Sequence, residues 1–246
     1  MNSISPNLNI MIKAAEKASK VLIRDFGELE KLQVSQKGPS DFVTNADKKV
    51  EKIILEELSK SRNKYSILSE ETGEIKNSDK DNIWIVDPID GTTNFLHGVP
   101  HFAISIALLS KEEIVSGLIF DPIKNEMFYA EKNNGSYFNN HRIKVSKKKI
   151  LEECLFGTGG KKEVKTNLNT RISGSAALDM AYVGAGRYDG YFQRSLNIWD
   201  VAAGIIIVKE AGGKTNNINY AQNEELKVLA GSNIIYEKML ENLNNF

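Results

Sequence analysis

The chain of 246 residues predicts a mixed fold of helices and sheets in layers, α/β or α+β in class. Three observations predict it. Apolar residues recur at helical spacing near the N-terminus. Through 102–131 they alternate or run in short blocks, as in an antiparallel meander. From about residue 150, strand-like and helix-like stretches take turns. No internal repeat accompanies these patterns.

Leu8, Met11, Ile12, Ala15, Val21 and Leu22 mark a helix from residue 8 to about 28, ending around Gly27. The polar stretch Lys37-Gly38-Pro39-Ser40 reads as a loop. Thr44-Asn45-Ala46-Asp47 has the form of a capping box with Asp in place of Glu, ahead of Val50, Ile53, Ile54 and Leu58. A second helix is therefore expected over about 45–60. Tyr65 to Leu68 reads as a strand that delivers Glu70 and Glu71, and the apolar run Ile83 to Val86 as a buried strand that delivers Asp87. Meander strands follow at 102–109, 113–120 and 126–131, with turns at Asp121-Pro122 and Asn133-Asn134-Gly135. The later elements are a strand at 151–157, a helix at 174–186, a strand at 188–194, a helix at 199–211, a strand at 227–230 and a helix at 233–244. The change of texture near 140–150 divides the chain into 1–145, two helices plus the meander, and 146–246, the alternating part. No flexible linker separates them, so they are expected to pack as one body.

Composition narrows the function classes. At 41% hydrophobic and 26% charged the chain is ordinary for a globular protein. Lysine plus arginine equals aspartate plus glutamate at 32 each, so no net field favours nucleic acid or an acidic membrane surface. The clusters Lys147–Lys149 and Lys161–Lys162 are short and read as solvated loop surface. A single cysteine, Cys154, excludes an internal disulfide, fits a reducing compartment and sits in an apolar run as core filler. The N-terminus lacks the basic-then-apolar order of a signal peptide, and no apolar run approaches the roughly 20 residues that span a bilayer. A soluble cytoplasmic protein is expected.

The most informative stretch is Trp84-Ile-Val-Asp87-Pro-Ile-Asp90-Gly-Thr-Thr-Asn-Phe95. Asp87 and Asp90 flank Pro88, which fixes φ and is expected to interrupt the strand ladder. Gly91 frees the backbone, and Thr92 and Thr93 bring hydroxyls where a helix could begin. Two acids beside exposed N–H groups suit a divalent cation and an anionic oxygen held together. The chemistry suggested is metal-assisted phosphate transfer or hydrolysis. Taken alone, Asp-Pro and Asp-Gly are also common turn formers. But Glu70 ends another strand, and Asp200 opens a helix in Trp199-Asp200-Val201-Ala202-Ala203-Gly204. Each of these alone reads as a solvated charge or a first-turn acid. Four carboxylates gathered together are too repulsive to stay ionised without cations between them. Hard oxygen ligands select Mg²⁺, or Mn²⁺ or Ca²⁺, over zinc.

Competing motifs fail. His97 and His101 have zincin spacing, but Gly98 and Pro100 between them oppose the helix that motif needs. Gly157-Thr-Gly-Gly-Lys161 resembles a phosphate loop, yet Lys162 stands where Ser or Thr is required and Leu155 replaces the first glycine. Gly184-Ala-Gly186 lacks the third glycine of a dinucleotide site, and no Gly-x-Ser-x-Gly elbow is present.

Asp41-Phe-Val-Thr44-Asn-Ala-Asp47, Ser69-Glu70-Glu71, Asp87-Pro-Ile-Asp-Gly-Thr-Thr93, Gly174-Ser-Ala-Ala177, Trp199-Asp200 and Glu210-Ala-Gly-Gly213 resemble, in order, the signature set of the inositol monophosphatase family. The similarity runs from 41 to 213. It implies the layered α-β-α-β-α sandwich of the sugar-phosphatase superfamily, and a homodimer. It also implies that Glu70, Asp87 and the backbone carbonyl of Ile89 hold a first Mg²⁺, and that Asp87, Asp90 and Asp200 hold a second, with Glu70 approaching a third. Thr92 and Asp47 match the groups that orient or deprotonate the attacking water, with Glu70 beside them in the catalytic set. Substrate contacts fall to Asp90, Gly91, Thr92, Thr93, Ala176, Gln193 and Asp200. The implied activity is a Mg²⁺-dependent phosphomonoesterase for a small polyol or sugar phosphate, by direct attack of metal-activated water. Myo-inositol 1-phosphate is the default substrate; related enzymes take fructose 1,6-bisphosphate, histidinol phosphate or 3′-phosphoadenosine nucleotides. Relatives also suggest a binding role as a partner of the transcription machinery, but the complete acidic set favours catalysis. Two departures stand out. Gln193 occupies a place where many inositol-phosphate-hydrolysing members carry glutamate, which loses a charge-assisted bond to substrate hydroxyls. The polar segment 160–170 is shorter than the helix-containing segment usual in the family, which bears on the active-site rim or the dimer contact.

Overall fold

The computed structural model describes residues 4–29, 39–159, 166–218 and 226–243, with 39–45 described by backbone alone. Helix α1 (Pro6–Gly27) starts with Ser5 as N-cap, its hydroxyl accepting from Leu8 N, and with Pro6 in the first turn where its missing N–H costs nothing. Helix α2 spans Pro39–Ser61. The two lie together on one face of an eight-stranded sheet built from residues 65–142, in the order β2-β1-β3-β4-β5-β6-β7-β8. Its strands are β1 (Tyr65–Ser69), β2 (Gly73–Ile75), β3 (Asp79–Asp90), β4 (Ala103–Ser110), β5 (Glu113–Asp121), β6 (Glu126–Glu131), β7 (Gly135–Phe138) and β8 (His141–Arg142). A short helix, α3 (Thr92–Leu96), leaves the end of β3.

Leu8, Met11, Leu22, Val50, Ile54 and Leu58 from the helices meet Trp84, Val86, Ile106 and Leu118 from the sheet in the first core cluster. The other face carries Ile85, Ala107, Ile119 and Phe128. These pack on α4 (Ala176–Gly184) and α5 (Ile198–Glu210) through Ala177, Ala181, Ala203 and Ile207. Helix α5 is apolar around its whole circumference, because it is covered on both sides. Each fully buried Ile or Val there contributes about 1.5–3 kcal/mol relative to exposure. At Gly117 a Cβ would stand 2.8 Å from the Ala203 backbone, so glycine sets the distance between β5 and α5.

A five-stranded sheet, β10-β9-β11-β13-β12, lies beyond those helices. It comprises β9 (Phe156–Thr158), β10 (Thr170–Arg171), β11 (Gly190–Leu196), β12 (Lys214–Thr215) and β13 (Leu226–Gly231). Tyr191, Val228 and Ala230 pack on Met180, Val201, Ile205 and Val208. Its far face carries Phe156, Phe192 and Leu229, covered by Ile235, Tyr236 and Met239 of α6 (Asn233–Asn242). The succession is helix pair, sheet, helix pair, sheet, helix, the layered α-β-α-β-α sandwich.

Several elements differ from the sequence expectation. Thr44–Asp47 is no helix start, since α2 already begins at Pro39, where proline suits the first turn; the side chains of 41–45 lie outside the described residues. Pro88 does not end β3. The strand runs on to Asp90 with a register shift between Asp87 and Asp90, so the proline's missing N–H falls in an irregularity where the ladder skips a partner. Residues 151–153 form a 3₁₀ turn, and the strand begins only at Phe156. The short strands β2, β7, β8, β10 and β12 carry too few residues to show a period. Of the segment 160–170, residues 160–165 lie outside the described residues.

Candidate active site and metal centre

Strand pairing brings the acids together. β1 runs parallel to β3 with Ser69 opposite Val86, so Glu70, just past the end of β1, comes beside Asp87, which stays within β3. Glu70 N donates to Val86 O (3.2 Å), and the Glu70 and Asp87 carboxyls lie near enough for each to shift the other's ionisation. Asp87 Oδ1 also accepts from Ile89 N at 2.9 Å. Asp87 pairs with Ser105 of β4, whose hydroxyl donates to Trp199 O (3.3 Å). That contact sets the start of α5 against the strand end. Asp200 is the third residue of α5, and its Oδ2 accepts from Asn197 N at 2.8 Å. Asp87, Asp90 and Asp200 each offer a carboxylate oxygen, all within 4.8 Å of one another.

Asp90 is held from the far half of the chain. Its Oδ2 accepts from the Ser175 hydroxyl and from Ala177 N (2.9 Å), and Ala176 N adds a further backbone bond. Ser175 is in turn the N-cap of α4, its Oγ accepting from Leu178 N. Asp90 thus lies against the positive end of that helix. Gly91 has φ +96°, and a Cβ there would stand 3.1 Å from His101 O and 3.3 Å from Gly174 O. The turn out of β3 accepts only glycine without strain. Thr92 Oγ1 donates to Ile89 O (2.8 Å), which brings two of the predicted groups together. Thr93 is exposed on α3. Asn94 Nδ2 ties α3 to both neighbouring loops, donating to His101 O (2.7 Å) and Ser173 O (2.9 Å).

Asp47 is buried on α2, and its Oδ1 has no hydrogen-bond partner among the described residues. Burial, then Glu71, Glu70 and Glu51, push its pKa up to about 8. Burial likewise raises Asp87 well above the usual range, helped by Asp90, Glu70 and Asp200. Asp200 reaches about 7 through burial and then the charge of Asp90. Asp90 reaches only about 6, because its bonds from Ser175, Ala177 and Ala176 oppose burial. Glu70, at the open rim, is raised by partial desolvation, a rise its bond to Asp87 opposes. A cluster of acids that holds protons near neutrality, together with an orphaned buried oxygen, fits a hard cation with oxygen ligands. Gln193 stands apart from this group. Its Oε1 accepts from the Tyr191 hydroxyl (2.6 Å), and its side chain fills the space a Cβ on Gly159 would need.

The fold and this centre define a layered α/β protein built around a cluster of acids whose chemistry fits a cation. Similarity to known proteins narrows the class. Residues 4–245 match the inositol monophosphatase family, and the chain belongs to that family of phosphatases. It is 49% identical over 221 residues to an inositol-1-monophosphatase of Rhizobium meliloti (strain 1021), covering 84% of this chain and 83% of that one. It is 38% identical to the Nus factor SuhB of Escherichia coli (strain K12), covering 98% of this chain and 96% of the relative. Among solved structures, the extragenic suppressor protein suhB from Bartonella henselae superposes with a TM-score of 0.87 at 45% identity, covering 98% of this chain and 99% of that one. No helix among the described residues is long and apolar enough to cross a membrane.

Sequence reasoning missed two residues that hold the site together. Ser175 lay inside a recognised motif but was given no role, although a serine three residues before a helical leucine is a readable cap. Asn94 carried no signal for its tie to Ser173, because that partner lies 79 residues away.

Proposed function

We propose that this phosphatase is a Mg²⁺-dependent phosphomonoesterase for a small polyol or sugar phosphate, with myo-inositol 1-phosphate as the first substrate. The observation that carries this reading is the convergence of carboxylate oxygens of Asp87, Asp90 and Asp200 within 4.8 Å, with Glu70 beside Asp87. An all-oxygen anionic set suits Mg²⁺. In this reading Glu70, Asp87 and the carbonyl of Ile89 hold one ion, Asp87, Asp90 and Asp200 a second, and Glu70 borders a third. When bound, such cations neutralise charge on the phosphate and acidify the attacking water. The chain's own groups do the rest. Thr92 gives up its bond to Ile89 O and orients that water, while Asp47 Oδ1 takes the proton; nearby positive charge lowers the Asp47 pKa toward its basic form. The N–H groups of Gly91–Thr93 hold the phosphate oxygens. Attack is direct, and a chemically competent phosphoenzyme trapped from the wild-type reaction would refute it.

Ala176 and Gln193 face the alcohol part of the substrate in this reading. With Oε1 engaged by Tyr191, Gln193 offers its amide N–H, which favours an acceptor where glutamate would favour a hydroxyl donor. Fructose 1,6-bisphosphate, histidinol phosphate and 3′-phosphoadenosine nucleotides are accordingly in the test set. Homodimerisation and action in the cytoplasm accompany the reading. The 38% identical Nus factor supports a second reading, a regulatory binding role on the same fold. Phosphate release from the four esters, with and without Mg²⁺ and with Asp90→Asn as control, decides between them. Mg²⁺-dependent turnover that the variant loses supports catalysis. A folded protein inactive on every ester favours binding.

A further inference from the structure

Glu51 lies one turn beyond Asp47 on α2, 3% exposed, against the turn that joins β1 to β2. Its two oxygens accept four hydrogen bonds from that turn. The donors are Ser69 Oγ, Glu71 N (3.2 Å), Thr72 N (3.1 Å) and Thr72 Oγ1. They come from Ser69, just before Glu70, and from Glu71 and Thr72, the two residues after it. Three of these bonds converge on Oε1 and one reaches Oε2, an all-donor surround that suits a carboxylate, which has no N–H of its own. Glutamine would keep three bonds at its oxygen only by turning its NH₂ toward the Thr72 hydroxyl, which must then rotate from donor to acceptor, and every bond would lose the assistance of the charge.

The placement carries an electrostatic cost. A further buried negative charge stands beside Asp47 and Glu70, whose own ionisation it opposes. Shape alone does not call for that charge, since a neutral side chain could fill the space. What the carboxylate adds is a rigid anchor on both sides of Glu70, because bonds to an ionised acceptor are roughly twice as strong as neutral ones. The Glu70 main chain is held from the opposite direction by its N–H bond to Val86 O, and its carboxyl reaches Asp87.

We propose that Glu51 is the positioning residue for Glu70: it fixes the 69–72 turn so that the Glu70 and Asp87 carboxylates meet at the cation site. The proposal rests on the reading above that these two acids share a divalent cation. Glu51 does not itself touch the cation or the substrate.

The test titrates Mn²⁺ alone, by calorimetry, into the wild type, Glu51→Gln and Thr72→Val, well below the melting temperature of each. Glu51→Gln is expected to weaken Mn²⁺ binding by about 10- to 100-fold, as losses of groups that orient metal ligands do. Thr72→Val, which removes one hydroxyl at constant shape, is expected to weaken it by about 2- to 10-fold, the size of one hydrogen bond. Should Glu51→Gln fail to fold, Thr72→Val decides. Folded variants that melt lower yet bind Mn²⁺ as the wild type does would overturn the proposal, since Glu51 would then be structural only. A wild type that binds no Mn²⁺ overturns it as well. Phosphate release is measured in parallel. Wild-type Mn²⁺ binding without turnover of any ester sinks the phosphatase reading, and the Glu51 assignment then stands or falls on its own titration.

Discussion

Asp121 and Asp189 are as thoroughly buried as Asp87 and Asp90, yet they live in different company. Asp121 accepts from Ile123 N and Lys124 N, both at 3.0 Å, and from the Lys124 ammonium. Asp189 accepts from Leu155 N (2.7 Å) and pairs with Lys148 at 3.0 Å. Each buried charge there meets its compensation within the chain. Near the end of β3 the charges that act most on Asp87 are those of Asp90, Glu70 and Asp200, all of its own sign. Burying unpaired charge is costly, and folds keep such an arrangement where something outside the chain completes it. The structural acids are balanced by this sequence; in the proposed function, a cation balances the site acids.

The largest expected effect removes a ligand from the unbalanced region. Asp90→Asn should lower turnover by about 10³-fold, equivalent to about 4 kcal/mol of transition-state stabilisation. Its cation-free melting temperature should hold or rise, because like-charge repulsion is relieved. Phosphate release and a metal-free melt check both halves, and a near wild-type rate would break the comparison.

Next comes the cation itself. Mg²⁺ at about 100 times its dissociation constant should stabilise the native state by about 2.7 kcal/mol. The pH dependence follows from the raised acids. Native Asp90 (about 6) and Asp200 (about 7) keep protons that the unfolded chain has released above 3.8. Their contribution to cation-free stability is therefore greatest below about pH 3.8 and is lost as pH rises to about 6 and 7. Mg²⁺ competes with those protons, so its melting shift should be small at about pH 5 and grow toward about pH 8. A shift independent of pH would show that the cation binds elsewhere.

The balanced region should respond in the opposite way. Asp121→Ala leaves two main-chain N–H groups and Lys124 without their acceptor, at about 1–3 kcal/mol of stability. Turnover per folded molecule should be unchanged, and thermal melts beside kinetics at saturating Mg²⁺ separate the two effects. Gln193→Glu should produce the smallest change, altering relative kcat/KM among the four esters by about 10-fold, or about 1.4 kcal/mol. An unmoved ranking would place Gln193 away from the substrate.

Much of this was legible in the sequence, because helical and strand periods record which face of an element is apolar. That was enough to derive α1, the long meander, α5 and the mixed class. The ordered motifs singled out Glu70, Asp87, Asp90 and Asp200 before any coordinates. The tertiary structure decided the pairings of polar groups. Asp90 takes its bond from Ser175, 85 residues away, and Glu51 anchors a turn 18 to 21 residues ahead. Pro88 is tolerated because the register shifts there, a property of β3 and β4 together. The parallel match of Ser69 to Val86 is what sets Glu70, past the end of β1, beside Asp87 within β3. Periodicity is a local property that one segment displays by itself. A hydrogen bond, a register or a shared charge belongs to two segments, and exists only once packing has brought them within a few ångströms.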